Sequence, residues 1–391
     1  MNSAPHPANA FRLIVTGGGT GGHTYPALTA IRTLQNRLSA AGRTLDVLWI
    51  GTADGLEARV APAEGIRFAT VATGKIRRSS NPLKMMSAAN MKDMARVPLG
   101  VAQARKLVAD FRPDVVLATG GYVAVPAGLA ARMCRRPLVL HEQTVRLGLA
   151  NRKLAGSATR IAVSSESSLP LLPEAVRGLA VVTGNPVRPQ VLTGHADKAV
   201  EALGLLGFDR RLPTVYVTGG AQGAQQINSV VRDALAWLLE RANVIHQCGP
   251  DNVEDLRAHA AALPDALRGR YYLTGFVGPE LPDVLALADV VVSRSGAGTL
   301  AELTALGKPA VFIPLATSAG NEQAHNARHL EEAGAAVALL GDVTADRLKD
   351  AVGPLLTDPA RRVAMAERAG AHGRPDAADR LVDVILSAAS G

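Results

Sequence analysis

Short runs of β-branched and other apolar residues alternate along the chain with longer segments whose apolar residues recur at helical spacing. This alternation is typical of βαβ units, in which helices cover both faces of a parallel sheet. The pattern predicts strands in the first half at 12–15, 47–50, 67–71, 115–118, 138–140, 160–162 and 180–182. It predicts strands in the second half at 214–218, 244–247, 271–273, 290–292, 310–313 and 336–339.

A break in this pattern separates the two halves. The segment 184–189 contains a glycine and two prolines, which interrupt both helices and strand ladders. The length of 391 residues also favours two domains. We therefore predict an α/β protein of two Rossmann-like domains, 10–187 and 188–375, with a cleft between them and a C-terminal helix at about 376–391 packing back on the first. Ligands are expected at the carboxyl ends of the strands.

Charge is distributed unevenly between the halves. The net charge of +8 divides into +13 over 1–187 and −5 over 188–391. A basic protein raises the question of nucleic acid or an anionic surface as partner. The chain has few aromatic residues and no basic segment interleaved with them, so we expect no nucleic acid. Two cysteines, no uninterrupted apolar span and no secretory signal favour a cytoplasmic protein.

The most basic segment lies between Gly74 and Pro98. Its single acid is Asp93, and four methionines are interleaved with its cations Lys75, Arg77, Arg78, Lys84, Lys92 and Arg96. Such a segment can form a basic amphipathic helix that lies on anionic lipid. The alternative is a solvated basic helix whose methionines belong to the core.

Glycine-rich loops follow several of the predicted strands. The loop 17–23 precedes a helix, so its backbone can approach an anionic or polar ligand. Its glycines formally fit a dinucleotide fingerprint with Asp46 beyond them, but further loops at 120–121 and 219–223 suit a divided substrate site better. His23 ends the first loop, where it is either a general base or a helix-start residue that bonds the loop backbone.

A fourth loop, 293–297, also runs from a strand into a helix. Backbone amides at 297–299 could receive a diphosphate, and Glu302 could accept hydrogen bonds from two sugar hydroxyls. The alternative is a first-turn glutamate that compensates the helix dipole. No Asp-x-Asp pair occurs in the sequence, so we expect no obligate metal and no other cofactor.

Together these segments resemble the ordered motifs of the MurG family, peptidoglycan glycosyltransferases of GT-B fold. The matching positions are 18–28, 120–123, 141–143, 184–188, 219–224, 294–297 with Glu302, and Gln323 with 326–327. The resemblance implies inverting transfer of N-acetylglucosamine from UDP-N-acetylglucosamine to the 4-hydroxyl of the N-acetylmuramoyl residue of lipid I, undecaprenyl-pyrophosphoryl-MurNAc-pentapeptide, which forms lipid II. It also implies a peripheral protein on the cytoplasmic face of the cell membrane, with cell-wall synthesis proteins as partners in growth and division.

The resemblance assigns roles to individual residues. His23 would take the proton of the acceptor hydroxyl. The acceptor diphosphate would meet Gly18, Gly19, Gly120, Gly121 and Tyr122. Donor contacts would come from Thr20, Gly21, Gly22, Thr144, Arg188, Ala221, Gln222, Val277, Ala297, Gly298, Thr299, Glu302, Glu322, Gln323 and Asn326.

Some positions depart from the family pattern. Ala221 stands where the family usually has Ser, Thr144 where it has Asn, and Gly298 where it has a larger residue. Three alternatives stay open: another GT-B enzyme such as a glycolipid synthase or a UDP-sugar epimerase, a noncatalytic UDP-sugar-binding membrane component, and, less favoured, an NAD oxidoreductase.

Overall fold

The computed structural model of the chain describes residues 9–74 and 88–390, without the side chains of 88–95 and 319. It divides into two compact units, Met1–Pro186 with Asp376–Gly391, and Val187–Pro375. Each unit contains one parallel β-sheet with helices on both faces.

The first unit is built on a seven-stranded sheet of order β3-β2-β1-β4-β5-β6-β7. Its strands are β1 Ala10–Thr16, β2 Thr44–Gly51, β3 Arg67–Thr70, β4 Val115–Ala118, β5 Leu138–Glu142, β6 Arg160–Val163 and β7 Ala180–Val182. The central strands β4 and β5 are buried along their whole length, because helices cover both faces of a parallel sheet.

Helices of the first unit form two apolar layers around this sheet. They are α1 Gly21–Ala40, α2 Glu57–Ala63, α3 Ala88–Phe111, α4 Ala124–Met133, α5 Leu149–Leu154, α6 Glu174–Arg177 and the C-terminal α16 Ala377–Ala389. Helix α16 packs against α1 and completes one of the layers with the fully buried Leu381 and Ile385. Arg37 of α1 forms ion pairs with Asp379 and Asp383 beside this contact.

The second unit has a six-stranded parallel sheet of order β10-β9-β8-β11-β12-β13. Its strands are β8 Thr214–Thr218, β9 Asn243–Gln247, β10 Tyr271–Thr274, β11 Val290–Ser293, β12 Ala310–Phe312 and β13 Val337–Ala338. Its helices are α7 Ala196–Ala202, α8 Gln225–Leu239, α9 Val253–Ala261, α10 Asp265–Arg268, α11 Leu281–Leu287, α12 Ala297–Ala305, α13 Glu322–Glu332, α14 Ala345–Thr357 and α15 Pro359–His372.

These two sheets confirm the predicted pair of Rossmann-like folds. Each predicted strand is present, and the observed ends differ from the predicted ones by at most three residues. The largest difference is at the start of β2, where Thr44, Leu45 and Asp46 extend the strand. These residues are exposed or half-buried, so they form no continuous apolar run in the sequence.

Strand order reverses once in each sheet, between β1 and β4 and between β8 and β11. Loops that follow two such neighbouring strands diverge to opposite faces and leave room for a ligand. The glycine loops after β1, β4, β8 and β11 therefore lie at these two switch points. Within the described residues, no helix is both long and apolar enough to cross a membrane.

Candidate active site

The two glycine loops of the first unit lie in direct contact. Gly120 and Gly121 have φ angles of +108° and +82°, which side chains rarely tolerate. A β-carbon at Gly121 would lie 2.7 Å from the carbonyl oxygen of Gly18. Glycine at these positions therefore allows the backbones of the predicted acceptor loops to approach closely, and the adjoining Tyr122 side chain is exposed.

His23 lies between these loops on the first turn of α1. A β-carbon at Gly120 would lie 2.8 Å from Cε1 of His23, so the absence of a side chain at 120 makes room for the imidazole. The half-buried His23 places its Nδ1 3.0 Å from Oε1 of Gln143. Thr119 fixes the helix start by donating to the His23 carbonyl at 3.0 Å. The sequence predicts either a base or a structural residue at His23, and the structure places its ring against Gly120 and Gln143.

The amides at the start of α1 have no side-chain cap. Thr20 is the N-cap residue in extended conformation, and its side chain makes no capping hydrogen bond. Gly21 and Gly22 form the first turn, where backbone N–H groups have no partner within the helix. This end of α1 carries partial positive charge and can receive an anionic or polar group.

Glu57 supports the first glycine loop, although none of the sequence motifs includes it. Its fully buried carboxylate accepts hydrogen bonds from Gly19 N at 2.8 Å and from the backbone and hydroxyl of Thr52 at 3.0 Å each. It also occupies the space where a side chain at Gly18 would be. The available signal was positional, because α2 follows β2 and the carboxyl ends of β1 and β2 are adjacent.

The segment after β5 is organised by another buried carboxylate. Glu142 accepts hydrogen bonds from the backbone and hydroxyl of Thr144, from Gly148 N and from Asn151 Nδ2, at 2.8–3.1 Å. The Thr144 hydroxyl is also 2.8 Å from the Arg146 carbonyl. Thr144 therefore contacts its own loop, and its predicted contact with the donor would compete with these interactions.

Two buried residues, Gln143 and His141, connect His23 by hydrogen bonds to the interior of the first unit. His141 is fully buried, with Nδ1 3.0 Å from Gln143 Nε2 and Nε2 3.3 Å from the Gly184 carbonyl. Burial lowers the pKa of His141 to about 4, because the imidazolium form would lose its hydration. His141 and Gln143 belong to one of the family motifs, but the sequence reasoning assigned a role to neither of them.

In the second unit, α12 begins with backbone N–H donors that no side chain caps. Its N-cap is Gly296, which has no side chain, and the first intrahelical bond is from Leu300 to the Gly296 carbonyl. The amides of Ala297, Gly298 and Thr299 are therefore left without partners in the helix. No atom lies within 4 Å of a β-carbon placed on Gly298, so the approach to this helix end is open.

Arg188 and Glu302 form a bidentate ion pair beside α12. The Nε and Nη2 atoms of Arg188 lie 2.6 and 3.0 Å from the two carboxylate oxygens of Glu302. The sequence predicts them as two separate donor contacts. The structure instead pairs them with each other, and Glu302 thereby holds the guanidinium at a defined position.

The glycine loop after β8 is held by a buried glutamine, Gln247. Its Nε2 donates to the Thr218 hydroxyl and the Gly220 carbonyl, both at 3.0 Å. Its Oε1 accepts from the backbone N–H of Val277 at 3.0 Å. Val277, predicted as a donor contact, thus has a backbone N–H group that is already engaged. Ala221 and Gln222, at the tip of the loop, are both exposed.

Three of the residues predicted to contact the donor lie in the first half of α13. Asn326 is buried and donates to the Ser295 carbonyl at 3.2 Å. Gln323 accepts from the Leu315 amide at 3.0 Å through Oε1. Glu322 lies in the first turn, where a carboxylate is favoured by the helix dipole. Asn326 therefore supports the loop after β11, while Gln323 and Glu322 lie at the helix end that faces it.

No cluster of three or more His, Cys, Asp or Glu side chains with metal-site geometry occurs among the residues that the structure describes.

Family models match most of the chain. The glycosyltransferase family 28 N-terminal domain matches residues 13–163, and the glycosyltransferase family 28 C-terminal domain matches residues 214–381.

Curated relatives match nearly the full length. The UDP-N-acetylglucosamine–N-acetylmuramyl-(pentapeptide) pyrophosphoryl-undecaprenol N-acetylglucosamine transferase of Halothermothrix orenii is 35% identical, covering 97% of this chain and 100% of the relative. The protein of the same name from Exiguobacterium sibiricum is 37% identical, with coverages of 96% and 98%.

Solved structures share the two-domain architecture. Acinetobacter baumannii MurG matches with a TM-score of 0.73 and 27% identity, covering 96% of this chain and 99% of that one. A putative UDP-N-acetylglucosamine 2-epimerase from Listeria monocytogenes matches with a TM-score of 0.65, 18% identity and 96% coverage of each chain. At that identity the epimerase shares the fold alone.

Proposed function

The chain belongs to glycosyltransferase family 28, in the MurG family, and from this premise we propose how it transfers N-acetylglucosamine from UDP-N-acetylglucosamine to lipid I to form lipid II. The membership confirms the resemblance found in the motifs. The observation that carries the function is the identity of about 35% to curated transferases of this activity over nearly the whole chain.

We assign the proton transfer to His23. In an inverting reaction the acceptor hydroxyl attacks the anomeric carbon while a base removes its proton and UDP departs. His23 lies against Gly120 of the second acceptor loop, so a hydroxyl of an acceptor bound there would be within reach. Its Nδ1 is occupied by Gln143, which leaves Nε2 as the atom that accepts the proton.

We assign the donor diphosphate to the start of α12. Three backbone amides without helical partners and the positive end of the helix dipole favour an anion there. Arg188, held next to this helix by Glu302, would stabilise the charge that develops on the departing UDP. In this assignment the Glu302 carboxylate accepts hydrogen bonds from the ribose hydroxyls. The chemistry uses no obligate metal or other cofactor.

We further propose that the basic first half holds the protein at an anionic membrane, on its cytoplasmic face, where lipid I and other cell-wall synthesis proteins are found. The support is the net charge of +13 over 1–187 and the cations between Gly74 and Pro98. Most of that segment lies outside the described residues, as do Lys75, Arg77 and Arg78.

Vesicle binding tests the membrane proposal. Replacing Lys75, Arg77 and Arg78 with Ser should weaken binding to vesicles of anionic phospholipid by roughly 10-fold or more, at about 1 kcal/mol per cation. The controls are neutral vesicles and a matched triple variant in the second unit, in which Arg361, Arg362 and Arg368 are replaced with Ser. If the first triple variant bound anionic vesicles as well as the parent protein, its three cations would belong to a solvated helix instead.

A transfer assay tests the proposed function. Folded protein incubated with UDP-N-acetylglucosamine and a lipid I analogue should release UDP and form the β-1,4-linked disaccharide, and chelation of divalent metals should leave the rate unchanged. Donor binding without transfer would support a noncatalytic sugar-nucleotide-binding component. Formation of a 2-epimer without an acceptor would support the epimerase alternative.

A further inference from the structure

A continuous chain of hydrogen bonds leads from His23 through Gln143 and His141 to the backbone of Gly184. The three links are His23 Nδ1 to Gln143 Oε1 at 3.0 Å, Gln143 Nε2 to His141 Nδ1 at 3.0 Å, and His141 Nε2 to the Gly184 carbonyl at 3.3 Å. Two of these residues are histidines, whose ring proton can occupy either nitrogen. The groups at the two ends of this series of hydrogen bonds determine which nitrogen of each histidine is protonated.

The orientation of the Gln143 amide is determined by a carbonyl. The end of the amide that contacts His141 Nδ1 is also 3.1 Å from the backbone oxygen of His141. A carbonyl oxygen can only accept, so this end must be the NH₂ group. The opposite end, which faces His23 Nδ1, is then the amide oxygen. Because that oxygen can only accept, the hydrogen of this contact belongs to His23 Nδ1.

At the other end of this series, His141 Nε2 contacts the Gly184 carbonyl. The Gly184 carbonyl can only accept, so His141 carries its proton on Nε2 and accepts from Gln143 on Nδ1. A buried histidine without a charged partner is neutral, as the low pKa of His141 also indicates, and has one N–H to place. Each donor in this series of hydrogen bonds therefore meets an acceptor, and only one placement of the ring hydrogens satisfies all three contacts.

We propose that Gln143 and His141 are positioning residues that hold neutral His23 in the Nδ1–H tautomer, with the lone pair of Nε2 free to take the acceptor proton. The role in catalysis rests on the function proposed above, whereas the tautomer itself is a property of the protein before any substrate binds. A histidine exposed to water favours the opposite, Nε2–H tautomer. In that tautomer the nitrogen that remains basic would be the one facing Gln143.

Nitrogen-15 NMR of histidine-labelled protein tests the tautomer without any substrate. The signals of His23 are assigned by comparison with His23→Ala. At alkaline pH, the parent protein should show a protonated Nδ1 and an unprotonated Nε2. The reverse pattern in the parent protein would overturn the proposal whether or not the enzyme transfers sugar.

Variants at Gln143 and His141 distinguish a role in positioning His23 from a role in folding. Gln143→Leu should shift His23 toward the Nε2–H tautomer and lower kcat by roughly 10–10²-fold, with KM for both substrates nearly unchanged. His141→Leu should have a smaller effect, because Gln143 keeps its bond to the backbone oxygen of residue 141. His141→Asn restores an acceptor close to the position of Nδ1 and should recover most of the activity of the parent protein.

Unfolding temperature and UDP binding confirm that each variant is folded. A Gln143→Leu protein that is folded, keeps the Nδ1–H tautomer and is fully active would contradict the proposal. If the tautomer shifts as expected but kcat does not change, Gln143 does set the tautomer of His23, but His23 is not the base.

Discussion

The glycine loops of the two units occupy equivalent switch points but present different groups to a ligand. In the first unit, buried side chains from neighbouring segments, chiefly Glu57 and Gln143, hold the loop backbone and position the imidazole of His23 for chemistry. In the second unit, the buried Gln247 and Asn326 hold the loops after β8 and β11 in the same way. The groups offered to a ligand there are the backbone amides at the start of α12, beside the ion pair of Arg188 and Glu302.

This difference matches the chemistry that each loop cluster would perform. A proton acceptor must be fixed in direction and tautomer, which requires specific side chains. A diphosphate needs several N–H donors and positive charge, which a helix start supplies whatever its side chains are. In the same assignment, Ala221 in the loop after β8 would offer a backbone amide, where the resemblance leads us to expect Ser.

Removing His23 should produce the largest effect. His23→Ala should lower kcat by roughly 10²–10⁴-fold if His23 is the base, with the dissociation constant for UDP-N-acetylglucosamine unchanged. Single-turnover kinetics and calorimetry measure the two quantities separately. An unchanged rate would reduce His23 to a structural residue and remove the chemical distinction between the two loop clusters.

Removing Glu302 should affect binding. Glu302→Ala should weaken UDP-N-acetylglucosamine binding by roughly 10–10²-fold, through loss of the ribose acceptor and of the group that holds Arg188. The exposed Glu332→Ala, at the far end of helix α13, is the matched carboxylate control. If calorimetry gave the parent dissociation constant for Glu302→Ala, its assignment to the ribose would be wrong.

Acid should destabilise both units through one buried histidine in each. Burial lowers the pKa of His141 to about 4 and that of His246 to about 3. Since the unfolded chain binds the proton first, each contribution is complete above the unfolded pKa near 6.5 and is lost as the pH falls toward the folded value. The free energy of unfolding should decrease by roughly 2 kcal/mol per histidine between pH 7 and 5.

Tryptophan fluorescence can follow each unit separately. Trp49 is buried in the first unit and Trp237 lies in the second, so Trp237→Phe and Trp49→Phe proteins report on different units. His246→Asn should flatten the pH dependence of the second unit alone, and the exposed His259→Asn should change neither. A pH-independent unfolding free energy in the second unit would contradict the buried, neutral state of His246.

The smallest effect should come from filling the space beside His23. Ala at Gly120 or at Gly42, with φ of +108° and +66°, should cost about 1 kcal/mol of stability through backbone strain. Only the Gly120→Ala β-carbon contacts His23, whereas Gly42 has open space around it. Gly120→Ala should therefore lower kcat by roughly 10-fold and Gly42→Ala should not. Equal turnover of the two variants would show that the imidazole tolerates displacement.

Much of the fold could be predicted because its signals are local. Buried parallel strands are short apolar runs, and glycine-rich turns mark their ends, so strand positions and the doubled architecture followed from the sequence. The ordered motifs also identified the family. Strand ends at the sheet periphery, such as the polar start of β2, were less predictable because their pairing partners are distant in sequence.

The candidate site was predicted less completely. The sequence named His23, Arg188 and Glu302 as separate groups, but it could not show that Arg188 pairs with Glu302, which is 114 residues away. It also assigned no role to Glu57, whose carboxylate reaches Gly19 only because β1 and β2 are neighbours in the sheet.

The sequence by itself determined the family, the two Rossmann-like sheets and the loops that carry the chemistry, because these depend on local pattern and spacing. The tertiary structure decided which atoms of those loops are already engaged and which remain free. His23 exposes Nε2 because Gln143, 120 residues further along the chain, occupies its Nδ1. Hydrogen-bond direction depends on atoms brought together from distant segments, and so it exists only in the folded chain.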